Sequence, residues 1–231
     1  MRDHWNVDEV DLAILTHRHR DHQGGMDDVV NLFPPKRFIG VMEDCPNRTG
    51  DNKVRTALTN KHVTAETLSN TIQEYTIDGV KFTVFPLPAL SPCPDHENLN
   101  SIVVRMDYGE FSMLFTGDAE EEALGFLVTN HQDLLDVDVL KASHHGSNNG
   151  YTDNFLAAVS PEKVVISAGV HATYKHPMAE AVAAYKTATN NKVYCTNRHQ
   201  TLRIYGKQNG TYRIYRQNRI NKSCVYDGTH Y

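Results

Sequence analysis

The stretch Thr16-His17-Arg18-His19-Arg20-Asp21-His22-Gln23-Gly24-Gly25 governs the reading of the whole chain. It sets His17, His19, Asp21 and His22 in the order H-x-H-x-D-H. Imidazole nitrogens and a carboxylate form a donor set that suits Zn, Mn or Fe. The run before it, Val10 to Thr16, is apolar and strand-sized, so the cluster stands at a strand end. Residues two apart in extended chain point the same way, which lets His17 and His19 reach one ion together. Asp21 and His22 lie past the turn and reach a second ion about 3.5–4 Å from the first. A merely solvated loop gains nothing from imidazoles at this fixed spacing.

Three later segments end in residues of the same chemical type. Phe115-Thr116-Gly117-Asp118 closes a hydrophobic strand with a lone carboxylate, which taken alone reads as the cap of a helix starting near Glu120. Val139 to Ser147 places His144 and His145 at another strand end. Adjacent residues of an extended strand point to opposite sides, so one of the two is a ligand. His144 is favoured, with His145 beside the substrate, and the reverse order stays open. In Tyr174-Lys175-His176-Pro177, proline fixes the backbone after His176. That suits a residue held in place, and it equally suits a helix entry with Pro177 at the first helical position.

Around these motifs the pattern alternates strands and helices. Strands are expected at Val10–Thr16, Arg37–Val41, Ile72–Ile77, Val80–Phe85, Ser101–Asp107, Phe111–Thr116, Val137–Lys141 and Lys163–Ser167, with three short ones near Val193, Leu202 and Ile214. Asp78-Gly79 is a two-residue hairpin signal, and Tyr108-Gly109-Glu110 marks a second hairpin. Helices are expected before Phe33 and at Asn52–His62, Glu120–Asn130, Thr152–Val159 and Met178–Thr187, with loops at Glu43–Asp51 and Pro86–Asp95. No linker or repeat divides the chain, so residues 1–216 read as one domain and 217–231 as a polar tail.

At the H-x-H-x-D-H cluster, its preceding strand and its Gly-Gly, the sequence resembles the metallo-β-lactamase superfamily. That resemblance implies an α/β fold, an αββα sandwich of two mixed β-sheets flanked by helices, with a dinuclear site on one edge. It implies that Asp118 bridges two divalent metal ions (Zn or Mn), completing a metal set of His17, His19, Asp21, His22, Asp118 and His144. Further matches narrow it: Asn98-Leu99-Asn100-Ser101, Phe115-Thr116-Gly117-Asp118, Leu140 to Ser147, Val165 to Gly169, and Lys175-His176-Pro177. These resemble the soluble hydrolase domain of ComEC-type competence proteins, which act in DNA uptake. In that pattern Asn98 takes the slot where other members of the superfamily place a third histidine, and His96 is an alternative ligand that the pattern does not predict. The family's opening strands and its membrane channel have no counterpart here, so the domain reads as truncated at its N-terminus.

The resemblance implies a metal-dependent hydrolase that activates water. Asp21, His145 and His176 are its catalytic candidates, and Asn98, Ser147 and His176 are its substrate contacts. A phosphodiester, with DNA as the implied partner, leads as substrate. A small phosphoester, a lactone or β-lactam, or an inactive module are the alternatives. The diiron redox branch is disfavoured because His19 stands where that pattern has glutamate.

Composition agrees with a folded enzyme. The 231 residues are 40% hydrophobic and 22% charged. The net charge of −5 gives no global basic field, so an anionic substrate needs a local positive centre. Arg18 and Arg20 alternate with the ligand histidines and should project away from the metals onto the rim, with Lys175 near the same edge. No apolar run approaches the roughly 20 residues of a membrane helix, and no leader opens the chain, so a soluble, cytoplasmic protein is the default expectation. Cys45, Cys93, Cys195 and Cys224 are far apart with no C-x-x-C pair, which reads as neither a disulfide scaffold nor a zinc ribbon.

Overall fold

In the computed structural model, residues 8–41, 52–66, 68–86, 96–171, 173–220 and 222–229 are described. The expected loops at Glu43–Asp51 and Pro86–Asp95 lie almost wholly outside them. Strand β1 (Val10–Ile14) is followed by a one-turn helix α1 (Arg20–Gln23), helix α2 (Met26–Leu32), β2 (Pro35–Ile39), α3 (Asn52–Asn60) and β3 (Ala65–Glu66). Then come β4 (Gln73–Ile77), β5 (Val80–Val84), β6 (Val104–Tyr108), β7 (Phe111–Phe115), α4 (Glu121–His131), β8 (Val139–Lys141), α5 (Asp153–Val159) and β9 (Lys163–Ile166). The chain continues through α6 (Ala179–Ala188), β10 (Val193–Cys195), α7 (Thr196–His199), β11 (Leu202–Gly206) and β12 (Tyr212–Arg216).

A seven-stranded mixed sheet runs in the order β10-β9-β8-β7-β6-β5-β4. Its half from β7 to β10 is parallel, and its half from β4 to β7 is antiparallel. The smaller sheet, β1-β2-β3, is wholly parallel, which departs from the expectation of two mixed sheets. Its strands are connected through helices, and such crossovers favour parallel pairing. Three short elements, α1, β3 and α7, were absent from the sequence expectation. Each is shorter than the window in which periodicity declares itself.

Strand alternation builds the layers. Leu12 and Ile14, with Ile39 of β2, face Tyr75, Val84, Ile102 and Val104 on the large-sheet side. Ala13 and Leu15 face the opposite way, onto Val30, Val54 and Leu58 of the outer helices. On the far side of the large sheet, Leu114, Leu140, Val164 and Ile166 pack against Leu124, Phe155, Val182 and Tyr185 of α4, α5 and α6. The result is an αββα sandwich. The β11–β12 hairpin covers the remaining inner area, with Leu202, Ile204, Tyr212 and Ile214 against Phe111, Met113, Val139 and Val165. No helix among the described residues is long and apolar enough to cross a membrane.

The tail packs onto this body. Cys195 and Cys224 form a disulfide across 29 residues. The cysteines therefore do staple the chain once, a link that local spacing could not reveal because sequence-distant partners meet only in the fold. Buried Arg198 donates to the carbonyls of Ser223, Val225 and Thr229 and pairs with Asp227. Tyr226 N–H donates to Pro177 O at 2.9 Å, which ties the tail to the segment that carries His176.

Candidate metal centre

The H-x-H-x-D-H segment leaves the C-terminal end of β1, Asp118 follows β7, and His144 and His145 follow β8. Because β7 and β8 are parallel, their carboxyl ends open on the same side, where α/β sheets place their sites. Backbone bonds hold these ends in place: Ile102 N–H, just before β6, donates to Thr16 O at 2.9 Å, and His144 N–H to Gly117 O at 3.3 Å. Gly117 permits this approach. Its φ is +53°, and a Cβ there would stand 3.0 Å from Thr16 Cβ and 3.3 Å from Ser101 Cβ. Ser101 Oγ accepts from Asp118 N–H at 3.1 Å.

Two donor groups result, and both include Asp118. His17, His19 and Asp118 form one, and Asp21, His22, Asp118 and His145 form the other, with ligand atoms in each group within 4.8 Å of one another. His17 Nε2 stands 3.1 Å from His19 Nδ1 and 3.8 Å from Asp118 Oδ2. His22 Nε2 is 3.2 Å from His145 Nε2 and 3.1 Å from Asp118 Oδ1. His145 Nε2 is 3.1 Å from Asp21 Oδ2 and 3.4 Å from Asp118 Oδ2.

These contacts match a metal's donor set. Two nitrogens about 2.05 Å from one tetrahedral ion stand about 3.3 Å apart, close to the observed nitrogen pairs. Asp118 Oδ1 is buried with no hydrogen-bond partner among the described residues, although ring nitrogens face it. Burial, then neighbouring His22, lowers the His17 pKa to about 3, so its imidazole is neutral, the form that ligates. Burial acts to raise the Asp118 carboxyl, but the facing His145 and His22 nitrogens hold it well below the usual carboxylate range.

Further groups hold the rings. Thr16 Oγ1 lies 3.2 Å from His17 Nδ1 and 3.3 Å from His22 Nδ1, touching the nitrogen of each ring that faces away from the donor cluster. His145 Nδ1 lies 2.7 Å from Ser167 O. Sequence reading missed Thr16 and Ser167; Thr16 directly precedes His17, a position where a ring-orienting hydroxyl was available to notice.

The structure places His145 in the second donor group and leaves His144 out of both. His144 Nε2 stays 4.0 Å from Asp118 Oδ2, while its Nδ1 faces Asn149 Oδ1 at 3.1 Å and Glu120 Oε1 at 3.3 Å. The extended-strand argument did not apply, because both residues adopt left-handed backbone, with φ of 44° and 53°. Such strain in non-glycine residues gathers at functional sites. Gly146 continues the turn at φ +80°.

Asn98 is buried, and its amide donates to Glu120 Oε1 at 2.6 Å, so it reaches the centre through Glu120. His176 stands 5.5 Å from His144, ring to ring, and its Nδ1 is buried with no hydrogen-bond partner among the described residues. Ser147 is buried and donates its backbone N–H to His144 O, while Asn148 turns away to Glu180. His96 is exposed and in neither group. Helix α6 begins at Ala179, two residues after Pro177, so Pro177 is not the first helical residue. Arg18 corrects another expectation. It is 4% exposed and pairs with buried Glu97 at 3.0 Å, so it ties the histidine loop to the turn before β6 and is not on the rim. The desolvated guanidinium needs that partner. Arg20 and Lys175 are exposed. A third donor group, Cys195, His199 and Cys224, has its thiols spent in the disulfide.

Fold and geometry together give an αββα fold of the metal-dependent hydrolase type, with a candidate His/Asp cluster at converging strand ends. The chain belongs to the metallo-beta-lactamase superfamily, whose family model matches residues 1–171. It is similar to ComE operon protein 3 of Bacillus subtilis (strain 168), at 28% identity over 95% of this chain and 26% of that protein. It is also similar to competence protein ComA of Neisseria gonorrhoeae, at 33% identity over 76% of this chain and 22% of that protein. The chain thus spans about a quarter of the length of these relatives. Among solved structures, CmlA, a diiron beta-hydroxylase from Streptomyces venezuelae, aligns with a TM-score of 0.55 over 91% of this chain and 45% of its own. At 12% identity that likeness shows the fold alone.

Proposed function

We propose that this chain is a dinuclear metal-dependent hydrolase that cleaves phosphodiesters. The observation that carries the reading is the pair of donor groups meeting at one buried carboxylate, Asp118. His17 and His19 would hold one divalent ion, Asp21, His22 and His145 the other, and Asp118 both. When bound, the ions supply Lewis acidity and a water acidified toward neutral pH. Neutral His17 and anionic Asp118 are ready to ligate without first losing a proton. Asp21 has the most exposed side chain of its group and orients the attacking water at the open rim.

In this arrangement His144 and His145 exchange the roles expected from sequence. His145 is the ligand. His144 stands beside the centre with its Nδ1 facing the Glu120 carboxylate, which orients the ring, and it takes the part of proton donor to the leaving oxygen. His176 lies next to it and contacts the substrate. Asn98 and Asn149 steady His144 and its Glu120 partner.

The phosphodiester assignment draws on the resemblance to competence proteins, which act in DNA uptake, and on hard phosphoryl oxygens matching oxygen-tolerant ions. The Cys195–Cys224 disulfide supports an oxidising compartment in place of the cytoplasmic default. The test is a substrate panel: bis-p-nitrophenyl phosphate, single-stranded DNA, a lactone and nitrocefin, each with Mn and with Zn. Phosphodiester turnover above all others, with Mn at least as effective as Zn, is expected. Nitrocefin turnover with no phosphodiester cleavage overturns the substrate class, and no turnover with fewer than two ions bound overturns the enzyme.

A further inference from the structure

The net charge conceals a segregated cationic segment. From Ala181 to Tyr226 the chain contains no Asp or Glu. Within it, residues 201–222 hold Arg203, Lys207, Arg213, Arg216, Arg219 and Lys222, a charge of +6 that leaves the rest of the chain at −11 (−5 less +6). Residues 202–216 of this segment form the β11–β12 hairpin, which carries Arg203, Lys207, Arg213 and Arg216, with Arg219 and Lys222 beyond it. The apolar side chains of the hairpin face the core, so alternation turns Arg203, Tyr205, Arg213 and Tyr215 outward.

Register turns this alternation into a chequerboard. Arg203 pairs with Tyr215 and Tyr205 with Arg213, so each tyrosine has an arginine opposite it and the other tyrosine on its diagonal. The two tyrosine rings meet edge to face at 5.4 Å, and each residue is 48% exposed. Exposure of paired aromatics is costly to a surface that nothing covers. With Lys207 and Thr211 they line a groove of about 730 Å³. Among the described residues, Glu110 stands at the hairpin's turn, beside Gly210, and Glu162 meets the hydroxyl of inward-facing Tyr212. At the opposite end Thr201 and Gln217 open into a second groove, of about 690 Å³, shared with Thr196, Ala168 and Gly169. The residue before Ala168 is Ser167, whose carbonyl meets His145.

We propose that the outer face of the β11–β12 hairpin docks a single-stranded nucleic acid, with Tyr205 and Tyr215 stacking on bases and Arg203, Lys207 and Arg213 on phosphates. Alternating aromatic and cationic side chains on an open sheet face meet both chemistries of a single strand, its π faces and its charged backbone. A strand lying there leads along the second groove toward the His145 loop. The docking does not depend on the hydrolytic reading, because the hairpin shares no residue with the candidate metal ligands.

The test measures anisotropy of a fluorescein-labelled 20-mer of thymidylate with the full chain in EDTA, where neither hydrolysis nor a metal contributes. Tyr205→Ala/Tyr215→Ala should weaken binding by about 25-fold or more, at roughly five-fold per stacked base, and Tyr205→Phe/Tyr215→Phe should restore it. Arg213→Gln should lower the slope of log affinity against log salt by about 0.7. Matched melting curves establish that the variants fold. No binding of the oligonucleotide overturns the proposal. So does heparin binding as tightly and indifferent to the tyrosines, which would make the face a plain polyanion site. Loss of phosphodiesterase activity in the panel above leaves this result untouched.

Discussion

Removing the Asp118 carboxylate leaves two sets of imidazoles with no anion shared between them. Asp118→Ala should therefore drop bound metal from two ions to one or fewer and hydrolysis by about 10³-fold, given the several kcal/mol that such centres supply. Strand β7 ends before Asp118, so the metal-free variant should melt near metal-free wild type. His144 and His145 separate more finely. His145→Ala should lose metal, measured by elemental analysis, because its Nε2 sits within a donor group. His144→Ala should keep its metal and lose kcat by about 10²-fold, as removal of a general acid does. At this scale the local sequence carried most of the answer: the spacing of His17, His19, Asp21 and His22 projects onto the two groups. It left the order of His144 and His145 open, with His144 favoured, because the side a residue faces depends on φ, and nothing in His-His-Gly announces two left-handed non-glycine residues. Glu120 and Asn149 were equally illegible as partners of His144, since each reaches it only through the fold.

The turns after β1, β7 and β8 do the positioning, and glycines mark where chains cross. Gly146 combines a φ of +80° with a Cβ position 2.8 Å from Pro177 Cβ. Gly25 has a similar φ of +86° but nothing within 4 Å. Gly146→Ala should therefore cost about 1–3 kcal/mol in urea unfolding and also lower metal content, whereas Gly25→Ala should cost about 1 kcal/mol and leave metal unchanged. Equal costs would show that the crossing at Pro177 is not tight. Strands and helices were legible here because their periods are local: the Asp78-Gly79 hairpin appears as expected, with both residues at positive φ. The all-parallel small sheet was less so, because pairing direction depends on how distant segments cross over.

At the scale of the molecule, the disulfide and the Arg198 contacts clasp the tail against the body and, through Tyr226 and Pro177, against the His176 segment. A closed loop of 29 residues corresponds to roughly 3–4 kcal/mol of restricted unfolded chain. Cys195→Ser/Cys224→Ser should lower stability by about that amount in denaturant unfolding and raise KM more than it changes metal content. An unchanged midpoint would show that the tail's other contacts suffice. Neither the clasp nor the cationic hairpin was visible from whole-chain quantities. Spacing does not pair cysteines that far apart, and a net charge of −5 averages away a +6 segment. The αββα layering was legible through the family resemblance carried by the H-x-H-x-D-H motif, while strand alternation by itself gave only an α/β rhythm. The central claim is that one carboxylate holds two ions between these sheets. Anomalous diffraction from crystals grown with Mn tests it most directly: two peaks about 3.5–4 Å apart, each about 2.0–2.2 Å from an Asp118 oxygen, are predicted. A single peak, or two peaks of which only one touches Asp118, would contradict it.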